Sequence, residues 1–239
     1  MGNPTAAMLV IGDEILSGRT RDTNTNHLAK ELTNHGIRLR EARVVADEHD
    51  QIVAAVRALS AAYDHVFTSG GIGPTHDDIT ADAVAAAFEA PIDIRADARA
   101  ILEAHYQRTG LELNAARLRM ARIPEGATLI DNPVSAAPGF ILQNVHVMAG
   151  VPAIFEAMLA GVLPMLAGGD PLLSQMIDVP RCEGEIAQAL QDLAAKYPDL
   201  SFGSYPYQRN GAYGTQLVVR GTDAGMLDRA MVELSDLAQ

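Results

Sequence analysis

Between Ala6 and Ala90, short apolar runs alternate with longer segments whose apolar side chains recur at helical spacing, and this alternation restricts the fold more than any other feature. Ala6-Ala7-Met8-Leu9-Val10-Ile11 is apolar without a break and stops at Gly12-Asp13, as a strand buried on both faces would. Residues 23–35 carry Leu28, Ala29 and Leu32, with Gly36 placed to end a helix. Residues 37–45 read as a second strand, and 52–62 as a helix with Asp47 or Asp50 as its cap. Residues 64–68 read as a third strand, and 79–90 as an alanine-rich helix stopped by Pro91. Such a chain predicts an α/β fold: a mostly parallel sheet with right-handed crossovers and helices on both faces, a three-layer α/β/α arrangement.

Helices are expected over 97–109, ended by Gly110, and over 114–123, followed by a turn at Pro124-Glu125-Gly126. Residues 128–130, 139–142 and 145–148 read as strands, the last two joined through Gln143-Asn144 in a tight hairpin. Gly150-Val151-Pro152 opens a helix to residue 160. Composition changes across Leu166-Ala167-Gly168-Gly169-Asp170-Pro171, which reads as a linker. The boundary is therefore placed between a domain at 1–167 and a small α+β domain at 168–239. The latter has strands at 173–179, 200–205 and 215–221 and helices at 183–196 and 224–237.

The chemistry concentrates in Thr68-Ser69-Gly70-Gly71-Ile72-Gly73-Pro74-Thr75-His76-Asp77-Asp78-Ile79-Thr80, which joins the third strand to its helix. Gly70, Gly71 and Gly73 permit positive φ and close approach to the main chain, and with the Thr75 hydroxyl they are candidates to cradle phosphate oxygens. In a parallel sheet, ligands collect at the carboxyl ends of the strands. Gly12-Asp13-Glu14 and Asp47 occupy such ends as well. Adjacent carboxylates beside a phosphate call for a cation between them, which makes Asp13 and Glu14 metal candidates. Asp22 and Asn24 are polar residues in the loop that follows, Asn24 standing where a helix begins. Ser135 and Pro138-Gly139-Phe140 are assigned to the opposite wall. No GxSxG elbow is present, which argues against a serine hydrolase triad.

Eighteen basic against thirty acidic residues leave a formal charge of −12, so a general nucleic-acid or anionic-membrane surface is not expected. The single cysteine, Cys182, fits a reducing, cytoplasmic setting. No apolar run reaches the length of a membrane span.

Taken together, Gly12-Asp13-Glu14-Ile15-Leu16 with Gly18 and Asp22-Thr23-Asn24, the glycine loop with Asp78-Ile79-Thr80, Asn132-Pro133-Val134, Ala137-Pro138-Gly139-Phe140 and Gly150-Val151-Pro152 resemble the amino-terminal domain of the CinA family. That domain is part of the MoaB/Mog-like molybdopterin-binding superfamily. The tail, including Gly203-Ser204-Tyr205-Pro206, resembles the small domain that follows in CinA-like proteins and in eukaryotic FAD synthases. The resemblance implies metal-dependent cleavage of a dinucleotide pyrophosphate such as ADP-ribose or FAD. A pterin- or nucleotide-binding module without turnover and a molybdopterin adenylyltransferase remain as alternatives. It implies a divalent metal (Mg, Mn or Co) with K⁺ as a further ion, molybdopterin as a candidate ligand, a symmetric homo-oligomer, and a chain without CinA's deamidase domain. Carried over residue by residue, Asp78 and Asp47 are the catalytic candidates and Asp13, Glu14 and Asp78 the metal candidates. Gly70, Gly71, Gly73, Thr75, Thr80, Asp22, Asn24, Ser135, Gly139, Gly150 and Pro152 are the ligand-binding candidates. Two positions depart from the family pattern: Ala149 stands where a proline is usual, and Ile154 where CinA proteins tend to carry an acid, with Glu156 nearby.

Overall fold

The computed structural model describes residues 2–209 and 211–235. The chain divides into two compact units, Met1–Gly169 and Asp170–Gln239. The first runs β1 (Thr5–Ile11), α1 (Asp13–Leu16), α2 (Asn24–Asn34), β2 (Arg38–Val45), α3 (His49–Ala62), β3 (His65–Ser69) and α4 (Thr80–Ala87). It continues with β4 (Ile92–Ile94), α5 (Ala96–Thr109), α6 (Ala115–Leu118), β5 (Arg122–Pro124), β6 (Thr128–Ile130), β7 (Gly139–Leu142), β8 (Val145–Met148) and α7 (Pro152–Val162).

Its main sheet has the order β2-β1-β3-β8-β7-β6. β1 pairs in parallel with β2 and β3, and β3 with β8, whereas β7 is antiparallel to both β8 and β6. The mostly parallel α/β sheet expected from the alternation is thus the one observed. The unbroken apolar run of β1 has a simple cause. Ala6, Met8 and Val10 point into one core with Leu28 and Leu32 of α2 and Phe155, Met158 and Leu159 of α7. Ala7, Leu9 and Ile11 point into the other, with Ile52, Val56 and Leu59 of α3, Val84 of α4 and Leu102 of α5. Alternating side chains meet different helix layers, so neither face tolerates a polar residue. The β7–β8 hairpin turns through Gln143 at φ 53, as a two-residue loop requires.

Two expectations need correction. The helix over 114–123 is broken: α6 ends at Leu118, and a 3₁₀ turn at Arg119–Ala121 leads into β5, where Ile123 pairs with Asp93 of β4. Neither Asp47 nor Asp50 caps α3, whose N-cap is Glu48. The Asp47 carboxylate accepts the Asp13 N–H at 2.9 Å, and Asp50 meets the His49 ring.

The second unit comprises β9 (Leu173–Val179), α8 (Glu183–Lys196), β10 (Ser201–Arg209), β11 (Ala212–Gly221) and α9 (Ala224–Ser235). Residues 236–237 of the last expected helix lie outside the described residues. The strands form an antiparallel sheet in the order β10-β11-β9. Val179, Leu217 and Val219 of its strands pack against Ile186 and Leu193 of α8 and Leu227, Ala230 and Leu234 of α9. Cys182 is free and exposed, and its main-chain N–H donates to Glu185 at the start of α8.

Candidate functional site

β1 leads to α2 and β2 on one side and pairs with β3 on the other, so strand order reverses at the carboxyl ends of β1 and β3, the usual place for a ligand in a sheet of this kind. A crevice of about 600 Å³ opens there. Glu14, Arg19 and Thr20 line it from the segment after β1, and Asp47 from that after β2. The glycine loop after β3 contributes Gly70 to Pro74 with Asp77 and Asp78, and the segment after β8 contributes Gly150, Val151, Pro152 and Ile154. Asn132, Ser135 and Ala137 close the far side.

The glycines are needed where they stand. Gly70 has φ +110, and a Cβ there would lie 2.2 Å from the Ile11 carbonyl oxygen. Gly71 has φ +68, and its Cβ would lie 2.1 Å from the Thr80 hydroxyl. The Gly70 N–H already donates to the Met148 carbonyl at 3.2 Å, which binds the loop to the end of β8. Gly70→Ala is therefore expected to lower stability by roughly 2–4 kcal/mol, through a disfavoured φ and a backbone clash, which a urea midpoint would register.

Asp78 fastens the loop rather than capping α4. Its Oδ2 accepts both the Thr75 N–H at 2.8 Å and the Thr75 hydroxyl at 2.6 Å, while the N-cap position of α4 is Ile79. The Thr75 hydroxyl is thus engaged by Asp78, and it also holds the Asp77 carboxyl below its ordinary pKa. Thr80 is fully buried, and its hydroxyl donates to the Gly70 carbonyl at 3.0 Å, so it supports the loop from behind and does not reach a ligand. Gly139 does not face the crevice either. It lies in β7, where a Cβ would fall 2.2 Å from the Val147 carbonyl oxygen. Pro138 and Phe140 border a narrower recess behind the loop, together with Asp82, Arg119 and Arg122.

Glu14, Asp47, Asp77 and Asp78 bring four carboxyl groups to one crevice. Burial pushes the Asp47 carboxyl above the usual range against the opposing effect of the Asp13 N–H, and the negative charges of Asp13, Glu14 and Asp77 push it the same way. Asp13 is present through its main chain, its N–H donating to Asp47. The expected metal set of Asp13, Glu14 and Asp78 is not gathered: among the described residues no three His, Cys, Asp or Glu side chains come together in a way that would hold an ion.

Asp22 and Asn24 lie at a small side recess that also touches Glu14, Thr20, Gly150 and Pro152. Asp22 accepts the Thr25 N–H in the first turn of α2. Asn24 is 5% exposed, and its amide nitrogen donates to the Ser69 hydroxyl at 2.7 Å and the Gly150 carbonyl at 2.8 Å. One buried side chain therefore ties α2 to the ends of β3 and β8. Asn24→Ala would leave the Ser69 and Gly150 partners unpaired, and a loss of about 2–3 kcal/mol in thermal or urea unfolding is expected. Ser135 is held by Asn132, whose amide nitrogen donates to the Ser135 hydroxyl at 2.7 Å and to the Ala137 carbonyl. Its amide oxygen in turn accepts the Val134 and Ser135 N–H groups. The Asn132-Pro133-Val134 motif left the role of the Asn132 side chain unassigned, and Arg19 carries no motif of its own.

Residues 7–168 match the family described as probable molybdopterin binding domain, and residues 171–239 match FAD synthase, middle domain. A probable FAD synthase of Caenorhabditis elegans is 33% identical over 258 residues, which takes in 98% of this chain and 50% of the worm protein. A CinA-like protein of Citrifermentans bemidjiense is 41% identical over 167 residues, or 68% of this chain and 40% of that one. The crystal structure of the protein CinA with unknown function from Thermoplasma acidophilum superposes with a TM-score of 0.63 at 36% identity, covering 68% of this chain and 97% of that one. The chain belongs to the molybdopterin-binding-domain family, in its CinA-like form. It spans about half the length of the worm FAD synthase and 40% of the CinA-like protein. Among the described residues no helix is long and apolar enough to cross a membrane.

Proposed function

We propose that the crevice binds a dinucleotide pyrophosphate such as ADP-ribose or FAD and cleaves its phosphoanhydride with the help of a divalent cation. The observation that carries this reading is the convergence of Glu14, Asp47, Asp77 and Asp78 on a crevice floored by the positive-φ glycine loop. Its volume lies within the ordinary range for small-molecule sites. A magnesium-type ion is commonly held by one or two carboxylates plus the phosphates of its substrate, so a site without three gathered protein ligands suits a cation that arrives with the pyrophosphate. When bound, such an ion would screen the phosphate charge and lower the pKa of a coordinated water.

The chain's own residues then have distinct tasks. The Gly71–Gly73 main chain lies against the phosphates without a Cβ in the way. Asp78, turned and fixed by Thr75 through Oδ2, keeps Oδ1 for the ligand or its cation. Asp47, whose carboxyl burial holds above its ordinary pKa, takes a proton from the attacking water in this reading. Water adds to one phosphorus and the bridging P–O bond breaks. ADP-ribose would give AMP and ribose 5-phosphate, and FAD would give AMP and FMN.

A second reading, a pterin- or nucleotide-binding module without turnover, draws support from the lack, among the described residues, of three side chains set to hold an ion and from Ile154, which puts an apolar side chain on the crevice wall while Glu156 stays outside the lining. The two readings part on one assay. Purified protein is incubated with ADP-ribose or FAD, with Mg²⁺, Mn²⁺ or Co²⁺ and with K⁺, and AMP is followed. AMP release is the expected result; tight binding without AMP under any metal would establish the binding module instead.

A further inference from the structure

We infer that Arg19 is the anion-gripping side chain of the crevice, the group that fixes the oligophosphate of the incoming ligand opposite the glycine loop. This rests on the crevice being an oligophosphate site. Among the side chains that line it, four are carboxylates and Arg19 is the single cation. An anionic ligand entering such a lining meets repulsion from most charged neighbours, and the cradle opposite offers main-chain N–H groups, of which the Gly70 N–H is already taken by Met148. The Arg19 guanidinium is the one formal positive charge in the crevice lining itself, Arg119 and Arg122 lying in the neighbouring recess. It presents a planar set of donors matched to phosphate oxygens.

The loop that carries it is built to hold that position. The Ser17 N–H donates to Asp13 O at 2.8 Å, the Gly18 N–H to Ile15 O at 3.1 Å and the Thr20 N–H to Glu14 O at 2.9 Å, so the segment folds back on α1 on both sides of Arg19. Gly18 at φ +73 makes the turn with nothing within 4 Å of its would-be Cβ, so conformation alone calls for glycine there. The Arg19 guanidinium itself forms no ion pair and no hydrogen bond with another described residue. In the neighbouring recess, by contrast, Arg119 donates to the Asp78 carbonyl and Arg122 is paired with Asp82. An arginine left unpaired on the wall of an acidic crevice is available to a ligand anion.

The probe is inorganic pyrophosphate with Mg²⁺, titrated calorimetrically into the full chain, followed by ADP-ribose kinetics. Arg19→Ala is expected to weaken pyrophosphate binding by about tenfold to thirtyfold, as the loss of one charge-assisted contact implies. Arg19→Lys should recover part of it, Arg19→Glu should abolish it, and the melting temperature should stay within a degree or two of wild type because the exposed side chain makes no hydrogen bond or ion pair with another described residue. In kinetics the loss should fall on KM, with kcat nearly unchanged. Equal pyrophosphate affinity in wild type and Arg19→Ala, or no pyrophosphate binding by wild type at all, overturns the assignment. Pyrophosphate binding that depends on Arg19 without AMP release from ADP-ribose sinks the hydrolase reading and leaves the anion grip standing.

Discussion

Asp78→Asn is expected to lower ADP-ribose turnover by about a thousandfold, because it removes a charge from the place where phosphate charge must be stabilised. Asparagine keeps an oxygen that can still accept the Thr75 N–H and hydroxyl, so the loop should remain closed and the unfolding midpoint nearly unmoved. Thr75→Val separates the chemical role from the mechanical one. It removes the 2.6 Å hydroxyl contact but leaves the main-chain N–H at 2.8 Å, and a loss of no more than about tenfold is expected. If the two variants lose activity equally, Asp78 acts by shaping the loop and the charge lies elsewhere in the crevice.

A large effect of a different kind is expected from acid. His146, on β8, is 3% exposed, stacks on Phe67 at 4.8 Å and faces His65 across a 3.4 Å contact. Burial, with a smaller contribution from the charge of His65, lowers its pKa from 6.5 to about 4. His65 is itself lowered by burial, opposed by Asp64. The sign follows directly. Above the ordinary histidine pKa both folded and unfolded chains hold His146 neutral and it leaves stability independent of pH. Below it the unfolded chain takes up a proton that the folded chain refuses, so stability falls until the folded pKa is reached, by about 3 kcal/mol in all. Urea midpoints between pH 7 and pH 4 should show this slope in wild type and a much shallower one in His146→Phe. Parallel curves would mean that other groups carry the acid sensitivity.

The strand-helix alternation and the glycine loop were legible because both are local: an unbroken apolar run reports burial on two faces, and clustered glycines report positive φ. What escaped the sequence depends on partners far along the chain. Nothing near Asn24 says that its amide will bond to Gly150, and nothing near His65 announces His146. Thr80 sits in the motif with the look of a ligand contact, yet the fold turns it inward to hold Gly70. Asp47 looked like a cap by its place before α3, but a main-chain N–H from the β1 side claimed it. In β5 the helical pattern of 114–123 gave way because Ile123 found a strand partner in Asp93. The lone acid-poor wall at Ile154 was visible as a departure from a pattern, and its place on the crevice became visible only with the fold.

The asparagine that joins α2 to the ends of β3 and β8 also sets which parts of the crevice can yield. With Asn24 anchored at once to Ser69 and Gly150, and Gly70 stitched to Met148, the ends of β3 and β8 and the start of α2 are tied together beneath the crevice. The rims, the Ser17–Thr20 turn on one side and the Asn132–Ala137 turn on the other, carry none of these three ties. Hydrogen exchange should find slow amides along the tied ends and faster ones along both rims.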